Sequence, residues 1–484
     1  LIFKIKKGGI MGDLREFLDK LKDINDLVVI DDEIDWYVEA GAIMRRANEV
    51  GGPAQLFTNI KGSEKGSRLA GGILSTYRRL AIAMDIDPQS GYHDILKEYI
   101  DRRSNPIKPI IVNSGPCKEN IMIGDNIDLL KFPIPHLHPS DGNRFIGTLN
   151  IGICKDLESD WINWGMYRAM VHDKRTTGIY MGALNHGGII LKKYWDKGLK
   201  MDYAIAIGSD PLAYLVSSSG VPYGMNEVDV IGGLKREPVQ LVKCETNELY
   251  VPADSEIVIE GEISPGEIKS EGPFGEYPGY SVSGRVERPI LNIKAITYRN
   301  NPILTSTCLG TPTDEGHILW SVACAADIWI DLKRVGLPVT GIYIPPESGL
   351  HAVVVSTKTP HFGIPSLISS IVWTNRNGMY YPKVFVVNDD VDPTNMKEVF
   401  HAFSTKCNPA YGISIDKRAI NCPLTPYLPP DRRDQGIGGA NVLFDCTWPV
   451  EWKEEEKPAL MSFKSAYPEP VRKKVISNWE KWGF

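Results

Sequence analysis

Two carboxylates lie close together in Glu271-Gly-Pro-Phe-Gly-Glu276, which runs directly into Tyr-Pro-Gly-Tyr280. Two glycines and a proline within so short a stretch argue against helix and for a turn. The flanking apolar runs, Ile257-Val-Ile-Glu-Gly and Pro289-Ile-Leu-Asn-Ile-Lys, read as strands. The pair is therefore expected on a strand-to-strand loop, where two acids can handle a proton beside whatever lies against the backbone. A solvated surface turn is the plain alternative.

Other chemistry-bearing residues are dispersed. Asn163, His186 and Glu227 each stand next to glycine or turn residues, and their nitrogen and oxygen donors suit Mn²⁺ or Mg²⁺ with a phosphate completing the shell. A satisfied structural histidine at position 186 is the competing reading. Arg168, in Asn163-Trp-Gly-Met-Tyr-Arg168, offers the planar fork that grips a carboxylate through two hydrogen bonds, or an ordinary ion pair. His136 and His138 have a metal-binding spacing but lie in the proline-rich Phe132-Pro-Ile-Pro-His-Leu-His-Pro, which favours a structural role. Gly436-Ile-Gly-Gly follows no strand signal, so a dinucleotide fingerprint is not supported. Lys383 opens an apolar strand that ends in Asp389 and Asp390.

Several elements must position these groups. A chain of 484 residues exceeds one compact core, so two or three domains are expected. Apolar spacing predicts helices at 13–22 and 38–50, with short strands at Leu27-Val-Val-Ile and Ala54-Gln-Leu-Phe, which together make a small α/β lobe. A proline-rich connector covers 108–139. Between Gly147 and Thr305, glycine-punctuated runs such as Gly178-Ile-Tyr-Met-Gly, Tyr203-Ala-Ile-Ala-Ile-Gly and Pro238-Val-Gln-Leu-Val suggest a β-barrel or sandwich. One long helix is expected over 318–335 as an inter-domain spacer. Alternating strands and helices follow, in a doubly wound α/β pattern. Pro468 to Phe484 reads as an amphipathic helix that needs a partner subunit to pack on.

Composition narrows the function. The net charge of −6, without basic runs, excludes nucleic acid as the main partner. No apolar run approaches the eighteen or so residues that a membrane helix needs. Eight widely spaced cysteines without a CxxC pair suggest neither a zinc cage nor a thioredoxin motif, and a cytoplasmic protein with reduced thiols is expected. The first ten residues, ahead of Met11, read as an added or mis-assigned leader.

In order and spacing, Thr148, the Asn163–Arg168 run, His186, Pro222-Tyr-Gly-Met-Asn-Glu227, Glu271-Gly-Pro-Phe-Gly-Glu276 and Lys383 in Tyr-Pro-Lys-Val-Phe-Val-Val-Asn-Asp-Asp resemble the UbiD family of decarboxylases that depend on prenylated FMN. The resemblance runs over nearly the whole chain from about residue 11. It implies a multidomain α/β protein: an N-terminal α/β lobe (11–115), a split β-barrel flavin-binding domain of the FMN-reductase type (116–316), a linking helix (317–336), an α/β oligomerisation domain (337–460) and a C-terminal helix (461–484) on a partner subunit.

For the site, the resemblance implies Mn²⁺ held by Asn163, His186 and Glu227 and tied to the cofactor phosphate, with K⁺ near Trp161 and Ser218. Thr148, Met166, Arg168, Asn185 and Lys383 would touch the cofactor. Arg168, Glu271 and Glu276 become the catalytic trio of a carboxy-lyase, with Arg168 clamping the substrate carboxylate and Glu276 donating the proton. A flavin prenyltransferase would supply the cofactor, and a homodimer or larger homo-oligomer is expected. Asn185 ahead of the metal histidine, the bulky Gly165-Met-Tyr167 and Leu309-Gly-Thr-Pro-Thr-Asp-Glu-Gly-His317 resemble the aromatic and phenolic branch, which includes phenolic acid decarboxylases and phenylphosphate carboxylases. A hydroxylated aromatic acid and CO₂ are then the expected ligands. On that reading His317 polarises the substrate hydroxyl; the alternative is that it belongs to the start of the long helix. Two other functions stay open: a non-catalytic subunit of a multi-subunit carboxylase, and an FMN oxidoreductase.

Overall fold

The structure is a computed structural model that describes residues 12–282 and 284–484; the expectation about the first ten residues lies outside the described residues. The N-terminal helix Leu14–Asp23 starts where the Asp13 carboxylate accepts the N–H groups of Arg15 and Glu16. It buries Leu14, Phe17, Leu18 and Leu21, one face at helical spacing. Helix Glu39–Glu49 and strands Leu27–Ile30 and Ala54–Phe57 form as expected. The lobe is not self-contained, however. Its four-stranded sheet is completed by Ile303–Thr305, which pairs in parallel with Arg68–Gly71.

The central sheet has the order Thr176–Gly178, Val286–Tyr298, Ile257–Ile263, Met201–Ile207, Ile151–Lys155, Ile162–Gly165. Asn120–Ile123, within the proline-rich passage, and Ile268–Glu271 also pair with the long strand Val286–Tyr298. Successive side chains of a strand point to opposite faces. Accordingly Ala204 and Ala206 enter one core, while Tyr203, Ile205 and Ile207 enter a second. The sheet is thus covered on both sides, and its pairing does not close into a ring among the described residues. The run Gly178-Ile-Tyr-Met-Gly, expected as strand, leaves the sheet at Gly178, so Tyr180 and Met181 stand on a cavity wall instead.

The long helix spans Glu315–Arg334, and it is a core element rather than a free spacer. It packs against helices Tyr92–Arg103, Pro211–Ser217 and Ile364–Thr374 and strand Val339–Tyr343. Ala323, Ala325 and Ala326, all fully buried, let these neighbours approach closely. Arg103 of one helix and Asp327 of the other form a buried ion pair. Beyond it, a five-stranded sheet runs Val339–Tyr343, Ala352–Thr357, Lys383–Asn388, Asn441–Cys446, Ile413–Asp416. The three central strands are parallel and both edges antiparallel, so the doubly wound expectation holds only for the middle. The C-terminal helix is shorter than expected, Glu469–Ser477, and buries no side chain.

Candidate active site

Glu271 is the last residue of strand Ile268–Glu271, opposite Val286. The chain then turns at Gly272, whose φ of +85° lies in the left-handed region that suits glycine. The proline-rich segment clamps this turn from outside. Asp141 Oδ1 accepts the Gly275 N–H at 2.8 Å, and a Cβ on Gly142 would stand 2.0 Å from the Gly272 carbonyl oxygen. His138 lies against Gly275 and is engaged by Asp141 (3.2 Å) and Cys308 (3.4 Å). Burial opposes its charge, yet the Asp141 and Cys308 contacts push its pKa up to about 10. The structural reading of His138 is the one the geometry supports.

Arg168 links the two acids. Its Nε and Nη2 donate to the two Glu271 oxygens at 2.9 and 3.0 Å, a bidentate fork, and Nη1 donates to Glu276. Glu271 and Glu276 are both buried. Burial pushes the Glu276 carboxyl above its ordinary range; Arg168 opposes that shift and the neighbouring Glu271 adds to it. The Arg168 guanidinium also lies 4.5 Å from the Tyr180 ring centroid. Arg168 and Glu276 face a cavity of about 1060 Å³, large enough for a cofactor and a small acid together.

Asn163, His186 and Glu227 come from a strand and the first turns of two helices and converge on the same cavity. Asn163 Nδ2 donates to Glu227 Oε1 at 3.0 Å, and His186 Nδ1 is 3.6 Å from that oxygen. Glu227 Oε2 takes the Trp164 N–H, and Asn163 Oδ1 takes the Tyr167 hydroxyl. Among the described residues His186 Nε2 is buried without a partner, as is the neighbouring wall hydroxyl Ser217 Oγ. A carboxylate, an amide and an imidazole whose Nδ1 faces that carboxylate form a donor set of the chemistry that fits a divalent cation.

Of the remaining expected residues, Thr148, Met166, Asn185 and Ser218 line the cavity. Thr148 Oγ1 accepts the Thr307 N–H, and Asn185 Oδ1 caps helix His186–Asp196 through the Gly188 N–H. Trp161 and Lys383 are not on the wall. The Trp161 ring packs on His186, its carbonyl takes the Asp156 N–H, and Ser218 Oγ donates to the Leu215 carbonyl. The Trp161 carbonyl and the Ser218 hydroxyl, which donates its proton, each keep oxygen lone pairs. Lys383 Nζ lies 5.1 Å from the Tyr427 ring centroid instead. His317 is fully buried behind the wall, with Nε2 2.8 Å from the Tyr277 carbonyl and Nδ1 2.8 Å from Asp314 Oδ1. His317 is absent from the cavity wall and its Nε2 is taken by the Tyr277 carbonyl, so the expectation that it meets a substrate hydroxyl is corrected in favour of a place at the start of the long helix.

Sequence reasoning missed several wall residues. Arg376 stands beside Ser217–Gly220, His186 and Glu227, where a basic group was sought in Lys383. Its place in Thr-Asn-Arg-Asn-Gly, a polar stretch after an apolar helix, was the available signal. Tyr277 and Cys422 share a wall although far apart in sequence, and no local pattern marks that.

This arrangement, a buried arginine between two carboxylates facing a cofactor-sized cavity, belongs to a defined class. Three family domains of 3-octaprenyl-4-hydroxybenzoate carboxy-lyase match in order: the N-terminal domain over 18–99, the Rift-related domain over 110–312 and the C-terminal domain over 317–446. Pyrrole-2-carboxylic acid decarboxylase of Pseudomonas aeruginosa is 33% identical, with 98% of each chain covered. The closed form of the vanillic acid decarboxylase of Sedimentibacter hydroxybenzoicus superposes with a TM-score of 0.89 at 29% identity, covering 99% of this chain and 100% of that one. An evolved dimeric form of the UbiD-class enzyme HmfF from Pelotomaculum thermopropionicum, in complex with prenylated FMN, has a TM-score of 0.80 at 27% identity, over 92% of this chain and 97% of that one. The chain belongs to the UbiD family of carboxy-lyases.

Proposed function

We propose that the protein catalyses the reversible, non-oxidative decarboxylation of an aromatic carboxylic acid with prenylated FMN, and that in the trio Arg168, Glu271 and Glu276 the first and last act on the substrate while Glu271 positions Arg168. The observation that carries this reading is Arg168 bridging two buried carboxylates, with Arg168 and Glu276 on the cavity wall and Glu271 behind it. The relatives' activities on a heteroaromatic acid and a phenolic acid support the substrate class. Prenylated FMN, when bound, supplies a covalent electron sink for the carbon that loses CO₂.

The chain's own residues do the rest. Arg168 exchanges one carboxylate partner for that of the substrate and holds the leaving group in place. Glu271 keeps the guanidinium oriented from behind. Glu276, whose raised pKa keeps a proton available, delivers it to the carbon after CO₂ departs. Asn163, His186 and Glu227 would hold a Mn²⁺ that neutralises the cofactor phosphate, with Arg376 as a further cation nearby. Tyr180, Phe274, Trp320 and Tyr380 give the remaining wall an aromatic lining.

A split β-barrel is the finer reading of the central sheet, supported by its cover of apolar side chains on both faces. The five segments outlined from the sequence remain our division of the chain. The exposed C-terminal segment 461–484 would pack on a second copy, and a flavin prenyltransferase would provide the cofactor. Eight free, buried cysteines support a cytosolic location, and no described helix is long and apolar enough to cross a membrane. The intact trio disfavours a non-catalytic subunit.

The deciding experiment is anaerobic turnover of benzoates, hydroxybenzoates, pyrrole-2-carboxylate and cinnamates by protein co-expressed with a flavin prenyltransferase. CO₂ release and a modified-flavin spectrum are expected. A plain flavin with hydride-transfer activity would contradict the proposal.

A further inference from the structure

Tyr277 follows the proposed proton donor directly and lines the same cavity. Its backbone is fixed: the carbonyl faces His317 Nε2 at 2.8 Å, and His317 Nδ1 is 2.8 Å from Asp314, which also receives Arg45 at 3.2 Å. Its ring is held against Trp320 at a centroid distance of 4.9 Å. The phenol is therefore a rigid part of the wall, not a swinging side chain.

The hydroxyl itself is poorly satisfied. Its hydrogen-bond partner among the described residues is Cys422 Sγ at 3.1 Å, also on the cavity wall. Buried phenols ordinarily find an oxygen or nitrogen partner, whereas a thiol is both a weak donor and a weak acceptor. Burial holds the Tyr277 phenol well above its ordinary pKa and pushes the Cys422 thiol up to about 11, so both stay neutral and the contact gains nothing from charge. A substrate oxygen arriving between them would replace a weak O–H···S contact with a full O–H···O bond.

We infer that Tyr277, held by His317 and loosely engaged by Cys422, is the residue that recognises a ring hydroxyl or other ring oxygen on the aromatic acid. The inference rests on the proposed function for its substrate class. It moves the hydroxyl-reading role from His317, which cannot reach the cavity, to the residue that His317 positions.

The test compares binding and turnover of matched acids, 4-hydroxybenzoate and 3-hydroxybenzoate against benzoate, and 4-hydroxycinnamate against cinnamate, in holoenzyme, Tyr277→Phe and Cys422→Ala. Dissociation constants come from intrinsic fluorescence and rates from CO₂ release, with flavin content confirming that each variant is loaded. Wild type should bind at least one hydroxylated acid about 3- to 10-fold more tightly than its plain partner, the range of one neutral hydrogen bond. Tyr277→Phe should erase that preference, and Cys422→Ala should keep or enlarge it. Undiminished preference in Tyr277→Phe, loss confined to Cys422→Ala, or no preference in wild type overturns the inference. If binding follows the expected pattern but no acid releases CO₂, the recognition role stands and the proposed reaction fails.

Discussion

A buried guanidinium between two carboxylates sets what each residue of the trio can do. Glu276→Gln keeps shape and bulk but has no proton to transfer, so kcat is expected to fall by about 10²–10⁴-fold with flavin content unchanged; wild-type turnover in the loaded variant would remove the acid role. The pH profile carries a sign. Because burial raises the Glu276 pKa, the protonated donor persists above the ordinary carboxylic acid range, and activity is lost as pH rises through the raised value. In Glu276→Asp that descending limb should move; a limb that stays put would assign it elsewhere. At this scale the acids were legible in the sequence, since Glu271 and Glu276 share one short turn. No local pattern ties them to Arg168, 103 and 108 residues away; the resemblance grouped the three, and the sheet that brings the strands together gives the contact its physical cause. His317 shows the reverse: expected either at a substrate hydroxyl or at the start of the long helix, it lies off the cavity wall with Nε2 at the Tyr277 carbonyl.

Elements decide how rigidly these groups are held. The turn 271–276 is pinned by the proline-rich segment, where Gly142 has no room for a side chain because a Cβ would meet the Gly272 carbonyl at 2.0 Å. Gly142→Ala should therefore destabilise the fold by about 1–3 kcal/mol and lower kcat by displacing the acids; urea unfolding together with turnover checks both, and unchanged values would show the turn to be pliant. The helices His186–Asp196 and Glu227–Lys235 likewise aim their first residues at Asn163. Asn163→Ala, His186→Ala and Glu227→Ala should each lose metal and most bound flavin, measured as metal and flavin per chain, and full occupancy in all three would dismiss the metal assignment. Helix periodicity made Glu315–Arg334 legible, but not its role. A sequence of alternating helix and strand suggests a spacer, and only the packing against four neighbours shows a core helix. Strand Ile303–Thr305 was equally opaque, because its partner Arg68–Gly71 is more than two hundred residues away.

At the scale of the whole molecule, one cavity gathers residues from all three family domains except the N-terminal one: Arg168 and Glu276 from the middle, Trp320, Arg376, Tyr380 and Cys422 from the C-terminal part. Relative movement of those parts would alter the site directly. The C-terminal segment buries nothing on its own chain, with Met461 and Phe484 largely exposed. Removing 461–484 should leave the monomer fold intact and reduce the oligomer mass seen by light scattering; an unchanged mass would show that the segment makes no subunit contact. The central claim is that Glu276 protonates the carbon that Arg168 has helped to free of CO₂. Its most direct measurement is anaerobic turnover of an accepted aromatic acid in D₂O, following both CO₂ release and deuterium at the vacated ring carbon. Wild type is expected to release CO₂ and place one deuterium there, and loaded Glu276→Gln to do neither at more than about a hundredth of that rate. Deuterium appearing at that carbon at the wild-type rate in loaded Glu276→Gln would contradict the account.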